Sequence, residues 1–260
     1  MAVANPADFT GKSVLITGGT KGIGRVTAET FLAAGAQVTV CARSEPETVP
    51  EADGRRAAFL PVDVRDADAV RAMVESAHAA MGGLDVLINN AGGSPDADAA
   101  EVSPRFVEKI VALNLLAPFY VAQAANRLMQ AQEEGGSIVN IGSVSAHDPQ
   151  PGTAAYSAAK GGLLVLTRAL ALEWAPKVRV NHITTGLIRT EAAASVYGAD
   201  GGAAVTRTLP IGRMAVPADI AGACLFLGGS LSSYVNGADI AVHGGGEYPA
   251  RYIATHPELG

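Results

Sequence analysis

The chain has 260 residues, 48% of them hydrophobic, 17% charged and 5% aromatic, with a net charge of −6 and two cysteines. That length and hydrophobic content suit one large α/β domain spanning 1–260, and nothing demands a second. The negative balance argues against nucleic acid or an anionic lipid surface as the main partner.

Residues 1–8 lack a basic stretch followed by an apolar one, so no signal peptide is expected. The longest uncharged run, 110–126, holds Asn114, Pro118 and Gln123 and is short for a membrane span. Cys41 and Cys224 stand in neither metal nor redox spacing and read as buried thiols of a reducing compartment. The expectation is a soluble cytoplasmic protein without a metal site.

Strand patterns fall at 13–17, 37–41, 57–62, 85–89, 137–142, 178–183 and 239–242. Helical patterns fall between them at 23–34, 66–80, 103–132, 155–174 and 217–227. Most strand runs are continuously apolar, as expected for strands covered on both faces. The alternation predicts a doubly wound, Rossmann-like parallel sheet of seven strands, with helices on both faces and ligands at the carboxyl ends of the strands.

The first strand runs into Thr17-Gly18-Gly19-Thr20-Lys21-Gly22-Ile23-Gly24 and then a helix. Glycines there allow a tight turn and close backbone approach to a pyrophosphate, with the helix N-terminus facing the anion. The second strand ends in Ala42 and Arg43 instead of the acidic residue that would grip a ribose diol. Arg43 and Lys21 could converge on a 2′-phosphate, favouring NADP(H) over the alternative NAD(H), or could simply be solvated. Asp63, after the third strand, could accept from an adenine amino group or cap the following turn.

Within the long helix at 103–132, Pro118 has no N–H to give the Asn114 carbonyl, which frees an acceptor in mid-helix. In the helix at 155–174, Tyr156 and Lys160 stand one turn apart on one face. A phenol ionises near pH ~10, so its phenolate at neutral pH lies roughly 4 kcal/mol uphill. A neighbouring cation would lower that cost and make a proton donor and acceptor, although such a pair also suits a solvated helix face. The same helix is apolar almost all round, through Leu163, Leu164, Val165, Leu166, Leu170 and Leu172. It should therefore be covered on both sides, by the sheet and by another subunit, giving a dimer or tetramer. Residues 186–213 lack a firm helical period and read as a lid over a substrate, or as an inert surface insertion.

The glycine turn, Asn89-Asn90-Ala91-Gly92, Asn114, Ser143, Tyr156 and Lys160 occur in the order that makes the chain resemble the short-chain dehydrogenase/reductase family. The likeness runs from Gly11 to about Gly245, in the branch with a Thr-Gly-x-x-x-Gly-Ile-Gly turn. The resemblance implies that Tyr156 is the general acid for ketone reduction and the base for alcohol oxidation. It implies that Lys160 lowers the Tyr156 pKa and holds the nicotinamide ribose, that Ser143 binds the substrate oxygen, and that Asn114 anchors a relay water. It also places Gly18, Thr20, Lys21, Gly22, Ile23, Gly24, Arg43, Asn90, Ala91 and Gly92 along the cofactor. Asp63 and Val64 would then meet the adenine, and Gly186, Ile188 and Thr190 the nicotinamide end.

Three residues depart from the family pattern. Thr185 replaces a frequent Pro and should loosen its turn, Gly142 replaces a frequent Ser with little expected effect, and His243 replaces a frequent Asp and reads as structural. His147 reads as either a substrate contact or a surface imidazole, while His78, His182 and His256 receive no chemistry. The expected substrate is a small, mostly apolar ketone or secondary alcohol, the last from lid residues Ala192, Ala193, Ala194, Val196 and Tyr197.

The first alternative is a 3-oxoacyl-carrier-protein or 3-oxoacyl-CoA reductase. Glu133 and Glu134, where such reductases carry basic residues, would repel an acidic carrier. A sugar epimerase or dehydratase would have a different glycine spacing. An NADP(H)-sensing regulator would have lost the Tyr or the Lys. The tail from Glu247 onward should either fray or lie across a neighbouring subunit.

Overall fold

Successive side chains of a strand face opposite sides, so a strand apolar at every position needs two covers. The computed structural model, which describes residues 7–191, 197 and 202–256, supplies both. Strands β1 (Ser13–Thr17), β2 (Gln37–Ala42), β5 (Ala58–Pro61), β6 (Val86–Asn89), β7 (Gly136–Ile141), β8 (Val178–Thr185) and β9 (Asp239–Val242) form the main sheet. All pair in parallel, in the order β5-β2-β1-β6-β7-β8-β9. Leu15, Leu87, Ile138 and Val180 point into one core. Their neighbours Val14, Ile16, Ile88 and Val139 point into the other.

The first core is covered by α2 (Ala67–Met81), α4 (Ala117–Met129) and α5 (Ala154–Trp174), the second by α1 (Gly22–Ala33) and α7 (Pro217–Gly228). Asp66 caps α2 by accepting from the Asp68 and Ala69 amides, and left-handed Gly82 closes it. Strand order reverses at the β1–β6 junction, where an open α/β sheet leaves its crevice. That junction is pinned: the Asn90 and Ala91 amides both donate to Thr17 Oγ1, and Asn90 Nδ2 donates to the Thr17 and Gly18 carbonyls.

Four details differ from the sequence expectations. The long helix is broken into α3 (Pro104–Val111), a π turn (Ala112–Leu116) and α4, because Pro118 cannot continue the α ladder back to Asn114. A two-residue hairpin, β3 (Glu51–Ala52) and β4 (Arg55–Arg56), was too short and too charged to leave a pattern. The lid region 186–213 contains a short helix, α6 (Ala203–Arg207), and Ile188 pairs with Ala215; Ala192, Ala193, Ala194 and Val196 lie outside the described residues. The tail folds back on its own chain as α8 (Ala250–Thr255), with the Tyr248 amide on the Thr208 carbonyl and Tyr248, Tyr252 and His256 stacked in series. The apolar run Pro104–Met129 is long enough to cross a bilayer by composition alone, but here it covers the sheet through Val121, Ala125 and Met129.

One buried polar row crosses the middle of the sheet. Asn89, Asn140, His182 and Asp239 are register partners on four adjacent strands. Asn140 accepts from Asn89 Nδ2 and donates to Thr167 Oγ1 of α5, each at 2.9 Å. Replacing Asn140 by Ala removes both bonds and leaves Asn89 Nδ2 only the Pro118 carbonyl and Thr167 Oγ1 only the Leu163 carbonyl. Asn140→Ala should therefore destabilise the fold by about 2–3 kcal/mol, measured as the shift in urea midpoint at unchanged m-value.

Candidate active site

The residues singled out from the sequence, Ser143, Tyr156 and Lys160, converge because β7 and α5 meet just beyond the carboxyl edge of the sheet. Ser143 lies two residues past β7 and is buried, its hydroxyl accepting from the Ser145 amide at 3.2 Å and near enough to Tyr156 to draw the phenol's pKa down. Tyr156 sits in the first turn of α5. One turn on, Lys160 is 4% exposed, and its ammonium donates to the Ile141 carbonyl at 2.7 Å. The same ammonium lies 5.7 Å from the centre of the Tyr156 ring.

Burial dominates the electrostatics. It pushes Lys160 down to about 8, since the described residues provide no carboxylate partner for the buried ammonium. It pushes Tyr156 up, with the Ser143 hydroxyl pulling back and Tyr197 adding to the rise. In this structure the Lys160 ammonium is directed to a backbone carbonyl, and burial is the largest influence on the phenol. Tyr156 is thus a neutral acid with a proton to give.

A cavity of about 620 Å³ runs from the glycine turn to this pair, lined by Gly18, Lys21, Gly22, Ile23, Asn90, Ala91, Gly92, Gly93, Tyr156, Lys160 and Thr190 among others. A second, of about 420 Å³, continues past Gly18 and Lys21 to Thr20, Ala42, Arg43, Asp63, Val64 and Arg65. The glycines fit a dinucleotide by necessity. Gly18 has φ +63°, and a Cβ on Gly24 would lie 2.4 Å from the Gly18 carbonyl oxygen and 2.5 Å from Asn90 Nδ2. Side chains are excluded from the turn, and its backbone can approach a phosphate closely.

Some expected residues are placed differently. Gly24 packs beneath the turn, Ile188 is buried beside Ala215, and Gly186 lines a neighbouring cavity. Asn114 sits under the cleft: its Oδ1 accepts from the Gly93 amide and its Nδ2 donates to the Gly93 carbonyl, locking the loop after β6. Asp63 is engaged by the Arg65 guanidinium, which holds its carboxyl down to about 2. That ion pair adds Arg65 to the basic lining, and a pair two residues apart in a loop has no sequence signature. The Thr185 hydroxyl donates to the Gly142 carbonyl at 2.9 Å, so it ties its turn rather than loosening it. The His243 Nδ1 accepts from the Gly245 amide, in line with a structural role.

His147 sits at the surface, the second of its two readings: its side chain is 43% exposed and its Nε2 lies 2.9 Å from Asp239 Oδ2. His182, assigned no chemistry from the sequence, is the other imidazole on that carboxylate.

A family model described as enoyl-(acyl carrier protein) reductase matches residues 18–247. The chain is similar to 2-dehydro-3-deoxy-D-gluconate 5-dehydrogenase of Escherichia coli strain K12, with 35% identity over 90% of this chain and 95% of that protein. It is also similar to D-threitol dehydrogenase of Mycolicibacterium smegmatis, with 33% identity over 90% of this chain and 92% of the other. Among solved structures, a short-chain type dehydrogenase/reductase from Mycobacterium marinum superposes with a TM-score of 0.84 at 34% identity, over 92% of this chain and 97% of that one.

The depressed Lys160 pKa has a measurable sign. The ammonium is present below about 8 and lost above it, so a ligand it grips should bind more weakly as pH rises. In fluorescence titrations of the free protein, the dissociation constant for NADPH should be flat from pH 6.5 to 7.5 and climb several-fold by pH 9.5. A flat profile across the whole range would remove Lys160 from the binding site.

Proposed function

The chain belongs to the short-chain dehydrogenase/reductase family, and from that membership we propose a carbonyl–alcohol oxidoreductase that prefers NADP(H) and uses Tyr156 as its proton donor and acceptor. Membership makes it an NAD(P)-dependent oxidoreductase of alcohols and ketones. The finer reading rests chiefly on one observation: a neutral, partly buried phenol beside the Ser143 hydroxyl, one helical turn from a buried ammonium.

The nicotinamide ring, when bound, supplies or removes the hydride. The chain provides everything else. Gly18, Gly22, Ile23, Asn90, Ala91 and Gly92 shape the groove for the dinucleotide, and Thr190 lines its far end. As a carbonyl becomes an alkoxide, negative charge collects on its oxygen, and Ser143 and Tyr156 are two hydroxyls able to donate there. Tyr156 then gives up its proton. In the oxidation direction it takes one, and the Lys160 ammonium offsets the phenolate while holding ribose hydroxyls. Asn114, through its grip on Gly93, keeps the groove wall in place and is the proposed anchor of a relay water beneath Lys160.

NADP(H) is favoured because Ala42 ends β2 with no acid, while Lys21, Arg43 and Arg65 line the adjoining cavity. The acid there, Asp63, is already neutralised by Arg65. The substrate we favour is a small free ketone or secondary alcohol, in keeping with relatives named for a sugar acid and a polyol. A 3-oxoacyl carrier substrate remains the second reading, on the description of the matching family model. Against it stand Glu133 and Glu134 at the end of α4. We also take the enzyme to be a cytoplasmic homo-oligomer. Val165 and Leu172 of α5 are 63% and 83% exposed, an apolar face that a second copy would cover.

Two measurements test this. Tyr156→Phe should abolish NADPH-dependent turnover across a ketone panel while leaving NADPH affinity within about threefold, a loss of roughly 10³-fold or more. Retained turnover would end the catalytic assignment, and a wild-type protein that binds NADPH but turns over no ketone or alcohol would make it a sensor. Arg43→Ala should raise KM for NADPH by roughly tenfold or more while barely moving KM for NADH, as a lost charge-assisted phosphate contact requires. Equal effects on both cofactors would reverse the NADP(H) reading.

A further inference from the structure

On the α5 side of the sheet, directly behind the loop that carries Ser143, lies a group of side chains the reaction itself does not use. His182 of β8 is 0% exposed. Its Nδ1 lies 2.7 Å from Asp239 Oδ1, the register partner on β9, and Thr184 Oγ1 donates to the same oxygen at 2.7 Å. The other carboxylate oxygen lies 2.9 Å from His147 Nε2, at the surface. One carboxylate therefore joins a buried imidazole to an exposed one.

A carboxylate accepts, so His182 carries its proton on Nδ1 and presents a bare Nε2 on its far edge. That nitrogen is buried with no hydrogen-bond partner. What it faces is Gly142: a Cβ on that residue would lie 2.0 Å from both His182 Nε2 and Cε1. Only glycine can sit against this ring, and the ring in turn blocks the peptide from moving back. The opposite side of Gly142 lines the active-site cavity.

Gly142 is also the link between the two contacts that matter most. The Ile141 carbonyl before it holds the Lys160 ammonium, and Ser143 after it stands beside Tyr156. Thr185 secures the Gly142 carbonyl from the β8 side. We propose that His182, held by Asp239, is a positioning residue: its ring is the stop that sets Gly142, and through Gly142 the spacing of Ser143 and Lys160 around Tyr156. The proposal rests on reading those three residues as the reacting groups.

The titratable groups facing His182 are Asp239 from β9, Lys160 from α5 and His147 from the turn after β7; β7 brings Asn140, and the loop after it Gly142, neither of them titratable. Burial and the nearby Lys160 ammonium lower the His182 pKa, with Asp239 opposing. The ring is thereby kept neutral, which leaves a single buried cation, Lys160, in this wall.

The test is a double-mutant cycle on the full chain, with kcat and the NADPH dissociation constant measured at a temperature where circular dichroism shows each variant folded. His182→Ala should lower kcat by roughly tenfold to a hundredfold, the scale of a misplaced reacting group, with the dissociation constant within about twofold. Gly142→Ala alone should also lower kcat, because its methyl meets the ring. The double variant, whose new methyl occupies space the ring vacated, should recover most of the loss, far from the product of the two single effects. Asp239→Asn, which keeps the shape but weakens the hold on the ring, should lower kcat at unchanged NADPH affinity.

A folded His182→Ala with wild-type kcat would overturn the proposal, as would strictly multiplicative losses in the double variant. If His182→Ala does not fold, Asp239→Asn decides: wild-type kcat there overturns the proposal equally. The base reading fails by a different sign, turnover surviving Tyr156→Phe, which no result at His182 can produce.

Discussion

Lys160 buries nearly all of its side chain in the wall of the cleft, and much of the surrounding structure answers that cost. A fall from 10.5 to about 8 corresponds to roughly 3 kcal/mol of lost preference for the charged form. Among the described residues, no carboxylate offsets it; the hydrogen-bond partner is a main-chain carbonyl at the end of β7. A backbone acceptor is fixed by the sheet, whereas an acidic side chain would neutralise the cation and compete for any hydroxyl it could hold. The ammonium thus keeps its charge available to a ligand, at the expense of stability.

The sheet supplies rigidity for this from below. Asn89, Asn140, His182 and Asp239 form a polar row one level beneath the groove, where apolar side chains would have packed as well. Polar groups in a core are directional. Asn140 ties β6 to α5 through Thr167, and Asn89 reaches the Pro118 carbonyl just past the π turn. Each tie fixes an element that carries a proposed functional group: Asn114 within that turn, and Tyr156 and Lys160 on α5. An apolar row would have held the same elements together with less control over their register.

Much of this was legible in the residue order. Continuous apolar runs such as 13–17 and 137–142 can only be two-sided strands, and the glycine turn between the first strand and the first helix fixes where a phosphate can approach. What escaped was contact across distant sequence. The ring of His182 and the missing side chain of Gly142 lie 40 residues apart, and each looks ordinary alone; together they are a lock and its clearance. His147 was read by its nearness in sequence to Ser143, yet the chain turns and sends its imidazole to β9. Arg65 hid for the opposite reason, since a salt bridge at i,i+2 exists only once the loop bends. The π turn followed from Pro118, whose missing N–H was visible, although its geometry was not.

The cleft is also polar along its length. Lys21, Arg43 and Arg65 gather at the β2 end, where Asp63 is already paired. At the other end Glu191 lines the main cavity, and Glu247 and Asp96 are near enough to raise the Tyr197 phenol, after burial. A dinucleotide carries its negative charge at the phosphates, so this gradient would favour the phosphates toward the basic end and the nicotinamide, which bears no negative charge in either redox state, toward Tyr156.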